Sequence, residues 1–332
     1  MEEGEQGSPL LDRSGRLEDS YIVGVLIGRG SYSMVHKCLH KGKSERACKV
    51  YKKAHLQTGL VPSHVNMLVK LSHPNIMAIH DVFETDVELQ IVTDLAMGEE
   101  LLERIERSEH YSEREASQAV HTILSALEYL HSQDQPHGAV FPENLLYQTE
   151  APNAQTEAVR DAHAQTLVSS PTTPQIYNRS KLSQSPTTPQ IYSAPHFDSE
   201  LSTTALRCSA DIWSLGILIY IMLWGSEPTL EELMAQVDRE CEGLWSDVSA
   251  SARHLITKML QENPSRRLTA EEALRHPWVC GSTVATRHML DAQERLRTFN
   301  ARRKLRATTH AIIATQRAMS IVKPLRNCQA IR

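Results

Sequence analysis

The sequence predicts an α+β fold of two unequal lobes, a small β-rich one followed by a larger helical one. Three observations carry this reading. Apolar and β-branched runs broken by turn residues fill residues 21–95 and have the character of strands. From residue 99 the apolar positions recur at helical spacing instead. The chain has 332 residues and is 41% hydrophobic, enough to bury a large core. Strands first and helices later indicate segregated layers rather than an alternating βαβ chain.

In order along the chain, residues 21–28, 34–39, 46–52 and 89–95 read as strands, with one helical stretch at about 60–72. Residues 99–132 carry Leu101, Leu102, Ile105, Ala116, Ala119, Val120, Ile123, Leu124, Leu127 and Leu130 at helical intervals. Further helices are expected at 211–224, 229–240, 249–261 and 269–275. Residues 148–208 break the pattern. They are rich in Thr, Ser, Gln, Ala and Pro and have little apolar periodicity, a composition expected of a mobile or disordered loop. The octapeptide S-P-T-T-P-Q-I-Y at 170–177 recurs at 185–192. Ser170, Thr173, Ser185 and Thr188 each precede a proline, the pattern of proline-directed phosphorylation; a simple duplication within a low-complexity loop is the alternative.

Net charge is −5 and the isoelectric point about 6.3, so bulk electrostatics exclude a nucleic-acid binder. The charge is uneven. No acidic residue follows Glu294, whereas Arg302, Arg303, Lys304, Arg306, Arg317, Lys323, Arg326 and Arg332 do. A basic tail on an acidic body implies an acidic partner or surface. The six cysteines are scattered, with no C-x-x-C pair or Cys/His metal spacing, and read as free thiols of a reducing compartment. Residues 1–19 show no apolar signal region and position 2 is Glu, so neither a secretory nor a myristoylation signal is read. No run reads as long and apolar enough to span a bilayer. A cytoplasmic location is the expectation.

The motifs sharpen this picture. A strand leads into Gly28-Arg29-Gly30-Ser31-Tyr32-Ser33-Met34-Val35, a glycine-rich loop whose backbone N–H groups can approach phosphates. Lys49 follows in A-C-K-V, then Leu71-Ser72-His73-Pro74-Asn75-Ile76, a hinge-like Val92-Thr93-Asp94-Leu95, and H-G-A-V-F-P-E-N at 137–144. Asp211-Ile212-Trp213-Ser214-Leu215-Gly216, Asn263-Pro264-Ser265-Arg266-Arg267 and His276-Pro277-Trp278 complete the set. In this order and spacing the motifs resemble the calcium/calmodulin-dependent group of Ser/Thr protein kinases, over roughly residues 20–147 and 205–320. The resemblance implies a bilobal protein-kinase-like fold: a polar extension at 1–20, a kinase-like domain at 21–278 with lobes 21–95 and 96–278, and a basic regulatory tail at 279–332. It also implies an ATP site formed by Ile27, Gly28, Gly30, Val35, Ala47, Lys49, Thr93 and Asn144.

The departures concern the reacting groups. Kinases write the 137–144 stretch H-R-D-L-K-P-E-N, with the Asp as base for the substrate hydroxyl. Here that position is Ala139, and the Lys position is Phe141. No Asp or Glu occurs from 46 to 80, and the carboxylate that should pair with Lys49 is replaced by His64. No glycine lies between Gly138 and Gly216, so the metal-binding D-F-G is absent; Asp161 is the one metal candidate near its place, and a plain loop aspartate is the preferred reading. Ala194-Pro195-His196 stands for A-P-E, so the family's Glu–Arg ion pair to Arg267 is lost. Weak ATP binding without normal Mg dependence is the expectation, with a pocket filled by side chains as the alternative.

In the tail, Phe299-Asn300-Ala301-Arg302-Arg303-Lys304-Leu305 resembles the regulatory segment of calcium/calmodulin-dependent protein kinase II. The resemblance implies Ca-loaded calmodulin as partner, with Phe299, Arg302, Arg303, Lys304, Leu305, Ile312 and Ile313 as contacts. Two family anchor positions fall on Thr309 and Ala314, and the autophosphorylated Thr position falls on Ala292. A helix docked permanently on the large lobe and attachment to an anionic membrane surface are the competing readings of the tail. The chain carries no association domain after it, so a monomer is expected. Three accounts of the whole stand: a pseudokinase acting as a regulatory or scaffolding module that binds other proteins through its large lobe or Ser/Pro loop; an active Ser/Thr kinase using Lys49, Asn144 and Asp161; and a misassembled gene model over 148–208.

Overall fold

The computed structural model describes residues 15–29, 33–41, 43–53, 69–147, 166–168, 190–192, 194, 203–228, 248–281 and 284–306. A short helix α1 (Leu17–Ser20) precedes five antiparallel strands: β1 (Tyr21–Arg29), β2 (Ser33–His40), β3 (Ser44–Lys52), β4 (Ile79–Glu84) and β5 (Glu88–Thr93). They form one sheet in the order β1-β2-β3-β5-β4. Leu17, Tyr21, Cys38, Cys48, Val50, Phe83 and Val92 pack together in one cluster, and Tyr51, Ile79, Val82, Leu89 and Ile91 in another. Strand β4 escaped the sequence reading because His80 and Asp81 interrupt its apolar run. Asp81 is nonetheless buried, and it accepts the Tyr21 hydroxyl at 2.5 Å.

The helical stretch predicted at 99–132 is two helices, α2 (Leu101–Arg107) and α3 (Glu113–Ser132). Ser112 divides them: its hydroxyl caps the N-terminus of α3 while Glu115 reaches back to the Ser112 N–H at 2.8 Å, a capping box. Helix α3 supplies the stripe Ala116, Val120, Ile123, Leu124, Leu127 and Leu130 to the main core. After a two-stranded ladder of β6 (Leu145–Tyr147) and β7 (Thr166–Val168) come α4 (Thr204–Trp224), α5 (Ala250–Met259) and α6 (Ala270–Leu274). Helix α4 begins inside the stretch read as a loop, because Thr203 accepts from the Leu206 N–H and starts it early. It also corrects the statement that no run could cross a bilayer. With 21 residues and mean hydropathy 1.5 it qualifies by length and composition, but 72% of that window is buried within the protein, as in a core helix. Residues 290–306 form helix α7, the last among the described residues. The helices expected at 60–72 and 229–240 fall largely or wholly outside the described residues.

Glu113 ties the large lobe together. It is 1% exposed and accepts from the Ser249 N–H, the Ser249 hydroxyl and the Trp278 indole N–H, at 2.7, 2.7 and 2.8 Å. Three donors compensate the burial of its carboxylate.

Candidate nucleotide cleft, catalytic loop and docked tail

Strand register brings most of the sequence-predicted cleft residues together. Val35 lies opposite both Gly28 and Lys49, and Ala47 lies opposite Thr93. Directly opposed residues share a face of the sheet, so Gly28, Val35, Lys49, Ala47 and Thr93 form one surface beside Ile27, which is 49% exposed. Gly30, His64 and Asp161 lie outside the described residues. Among the described residues no carboxylate pairs with Lys49; its Nζ sits 5.5 Å from the Tyr51 ring centroid. A nucleotide held against this surface would meet Lys49 as the cation for its phosphates.

The catalytic-loop frame is intact. Asp211, 2% exposed, accepts from the His137 and Gly138 N–H groups, both at 2.7 Å, and from His131 Nε2 at 2.9 Å. Gly138 has φ 74°, a left-handed conformation that glycine adopts without steric penalty. The Ala139 N–H donates to His137 Nδ1 at 3.3 Å, and the Ala139 carbonyl accepts from the Phe141 N–H and Asn144 Nδ2, both at 2.9 Å. What this frame presents is a methyl group, 3% exposed. Asn144 has one amide oxygen left to offer, and Mg needs about six oxygen ligands, usually with a carboxylate among them. Among the described residues no group of three or more His, Cys, Asp or Glu side chains could hold a metal ion, and Asp161 lies outside them.

Phe141 packs edge-on against Tyr192, with ring centroids 5.3 Å apart. The segment bearing Tyr192 is pinned to α4: Trp213 Nε1 donates to the Ile191 carbonyl at 3.0 Å and the Ser214 hydroxyl to the Tyr192 carbonyl at 2.8 Å. Arg267, whose family partner would be His196, outside the described residues, is 5% exposed. Its guanidinium donates to the Ser209 carbonyl at 2.8 Å, the Ser209 hydroxyl at 3.0 Å and the Gln261 carbonyl at 2.8 and 3.1 Å. Burial lowers its pKa to about 10. Backbone oxygens thus do part of what a carboxylate would do.

The tail is docked over residue 290–306. Ala292, Gln293, Leu296 and Asn300 are buried, and Phe299 and Met289 pack on the main core. Leu290 and Leu305, apolar residues of the same helix, are instead 59% and 67% exposed. Gln293 Nε2 donates to the Ile105 and Ser108 carbonyls at 2.8 and 2.6 Å, and Asn300 Nδ2 to the Leu102 carbonyl at 3.0 Å and to Glu106 at 2.8 Å. Arg303 pairs with Glu100 and, at 2.8 Å, with Glu143 of the catalytic-loop frame; Lys304 reaches Glu103 at 2.6 Å. Burial opposes the Arg303 charge, but Glu143 and Glu100 outweigh it and hold its pKa well above the ordinary value. Burial raises Glu100, and Arg303 only partly offsets this. Arg302 is exposed; Ile312 and Ile313 lie outside the described residues. Sequence reasoning missed Glu100, Glu103 and Glu143 as tail acceptors. The signal was there in Glu100 and Glu103, at the N-cap and first turn of α2 and opposite in charge to 302–306.

This fold and loop are those of a protein kinase. Residues 21–279 match the protein kinase domain family, and the chain belongs to it. It is similar to calcium/calmodulin-dependent protein kinase type IV of Homo sapiens, 37% identical over 92% of this chain and 64% of that protein, and to the Rattus norvegicus form, 36% identical over 94% and 65%. Ribosomal protein S6 kinase alpha-1 of Mus musculus is 33% identical over 92% and 41%. The chain therefore spans less than two thirds of the length of these relatives. Among solved structures, the autoinhibited serine kinase domain of the giant muscle protein titin superposes with TM-score 0.64 at 25% identity, covering 85% of this chain and 88% of that one.

Proposed function

We propose that this chain is a calmodulin-kinase-like pseudokinase, a regulatory or scaffolding module whose tail exchanges between its own large lobe and Ca-loaded calmodulin. One observation carries the reading: a buried methyl, Ala139, stands where a base must accept the substrate proton, on a loop frame that Asp211 still holds in place. A positioned base contributes ~10²–10⁴ in rate, and positioning of phosphates and metal supplies much of the rest. Nucleotide binds weakly through the Gly28–Lys49 face and without the usual metal dependence. Arg303, Lys304 and Phe299 are the tail groups that calmodulin must draw off the lobe, while Leu305 is already exposed. The location is cytoplasmic.

The second reading is an active Ser/Thr kinase with atypical residues. It is favoured by Lys49 and Asn144, both kept in the strand and loop where the family uses them. Thermal shift of the purified protein separates the two, because a ligand of the folded state raises its melting temperature. The pseudokinase reading expects a shift with Ca-calmodulin and none that depends on Mg with ATP. A clear Mg-dependent ATP shift, followed by phosphotransfer to a peptide, would establish the second reading instead.

A further inference from the structure

Lys49 stands on the cleft face without a carboxylate partner among the described residues, and the next side chain on its face of β3 is an aromatic ring. Side chains two apart on a strand share a face. Lys49 lies opposite Val35 and Ile91, and Tyr51 lies opposite Ser33 and Leu89. The Tyr51 ring is fully buried and packs against Ile79, Val82, Leu89 and Ile91, which fixes its plane. Lys49 Nζ lies over that ring, 5.5 Å from its centroid. A cation within about 6 Å of a ring centroid is attracted by the negative face of the ring. The Tyr51 hydroxyl makes no hydrogen bond among the described residues. A buried polar group left unpaired costs stability, so hydrogen bonding does not account for a tyrosine here. The ring face under Lys49 does.

Protein kinases hold this lysine with a carboxylate, and this chain has no Asp or Glu from 46 to 80. We propose that Tyr51 is the positioning residue in its place: its ring holds Lys49 for the phosphates of a nucleotide bound without metal. This rests on the nucleotide reading of the Gly28–Lys49 face. The two kinds of support differ in charge. A carboxylate offsets much of the ammonium charge and competes with the phosphates for its N–H donors. A neutral ring leaves that charge and those donors to the ligand. An unoffset cation attracts a free polyphosphate more strongly than a metal complex, whose charge is partly neutralised already. The ligand class is therefore a metal-free nucleoside di- or triphosphate, and added Mg should weaken its binding rather than strengthen it.

Two readouts on the full chain test this. Reductive methylation with isotope-labelled formaldehyde keeps the lysine charges and makes each lysine visible by NMR. The Lys49 signal, assigned by its loss in Lys49→Arg, is expected upfield of the other lysines, because a ring lies beneath it. It should stay there in Tyr51→Phe and move to the common position in Tyr51→Leu. Titration of a fluorescent ATP in EDTA should give unchanged affinity in Tyr51→Phe and about two- to fivefold weaker binding in Tyr51→Leu. If Tyr51→Leu melts too low to assay, pentafluorophenylalanine in place of Tyr51 keeps the shape of the ring and reverses its quadrupole, and the same loss is expected. A Lys49 signal at the common position in the parent chain, or one that Tyr51→Leu does not move, overturns the proposal. So does an equal loss of affinity in Tyr51→Phe and Tyr51→Leu. Tighter binding with Mg than with EDTA overturns the metal-free assignment. A Lys49 signal that behaves as expected in a chain that binds no nucleotide leaves Tyr51 as the residue that holds Lys49 and overturns the nucleotide reading of the cleft.

Discussion

Arg303 of the tail helix lies 2.8 Å from Glu143 of the catalytic-loop frame, and the same guanidinium pairs with Glu100. The loop that lost its base has thus kept a carboxylate, and that carboxylate receives the tail. Helix α7 brings Arg303 there because Leu296 and Phe299 bury on the core and Asn300 fixes the register against α2. Glu143→Gln should therefore loosen the tail while leaving Arg303 itself in place for calmodulin. Breaking a fully buried pair costs ~3–5 kcal/mol, but Glu143 is 50% exposed and screened, so about 2 kcal/mol is expected. The variant should melt lower and bind Ca-calmodulin several-fold more tightly, since less of the protein holds the tail back. Calorimetric titration reads the affinity; a weaker complex with no change in melting would show that the pair does not hold the latch.

Gly225 is the second point of the latch. It ends α4 at φ 85°, and a Cβ there would overlap the Ala292 carbonyl oxygen and crowd Arg295. Gly225→Ala is expected to destabilise the full chain by about 2–4 kcal/mol, of which left-handed backbone strain accounts for ~1–2. In a chain ending at residue 289 only the strain remains. Denaturant unfolding of both forms measures the difference, and an equal loss in the two would mean that α7 does not rest on Gly225.

Much of this was legible in the sequence. The lobes, the cleft face and the catalytic-loop frame follow from motif order, because each motif residue has one geometrical task. Lys49 must point from β3, and Asp211 must accept two adjacent backbone N–H groups. Strand β4 was not legible, since the Tyr21–Asp81 bond buries a polar residue that hydropathy assigns to the surface. The inward face of the tail was not fully legible, because Leu290 and Leu305 are apolar yet exposed, while Gln293 and Asn300 are polar yet buried. Carbonyls left over at the end of α2 make those amides the better inward residues.

Asp211 holds the catalytic loop, so its replacement should be felt there first. Asp211→Asn would aim an NH2 group at one of three donors, His131 Nε2 or the N–H groups of His137 and Gly138. A donor facing a donor in a buried site costs ~1–3 kcal/mol. Hydrogen exchange at the His137 and Gly138 amides should quicken while α3 stays protected. Unchanged exchange at both amides would refute the anchoring role.

Burial pushes the thiol pKa values of Cys38, Cys48 and Cys208 up from 9.0, to about 11, about 12 and about 12. These groups are neutral in the folded state where the unfolded chain would begin to ionise. The stability they contribute is fully present below pH 9 and is lost as pH rises through about 11 to 12. At pH 8 iodoacetamide should label the exposed Cys280 and leave these three unmodified, since the thiolate is the reactive form. Peptide mapping checks this, and labelling of Cys48 at a rate comparable with Cys280 would contradict its burial in the sheet.

The loss at Ala139 should not be repaired by one residue. Ala139→Asp returns a carboxylate to a site 3% exposed, on a loop whose Lys position is Phe141 packed against Tyr192. Members of one catalytic unit act non-additively, so a base without positioned phosphates gains little of its usual ~10²–10⁴. Phosphotransfer by Ala139→Asp is expected to stay within tenfold of background. Ala139→Asp/Phe141→Lys should do no better, because the lysine also gives up the Tyr192 contact. Melting curves distinguish an inactive folded variant from an unfolded one. A rise of a hundredfold or more in a folded Ala139→Asp variant would mean that the cleft already positions nucleotide and metal, and that the base at position 139 alone limits phosphotransfer.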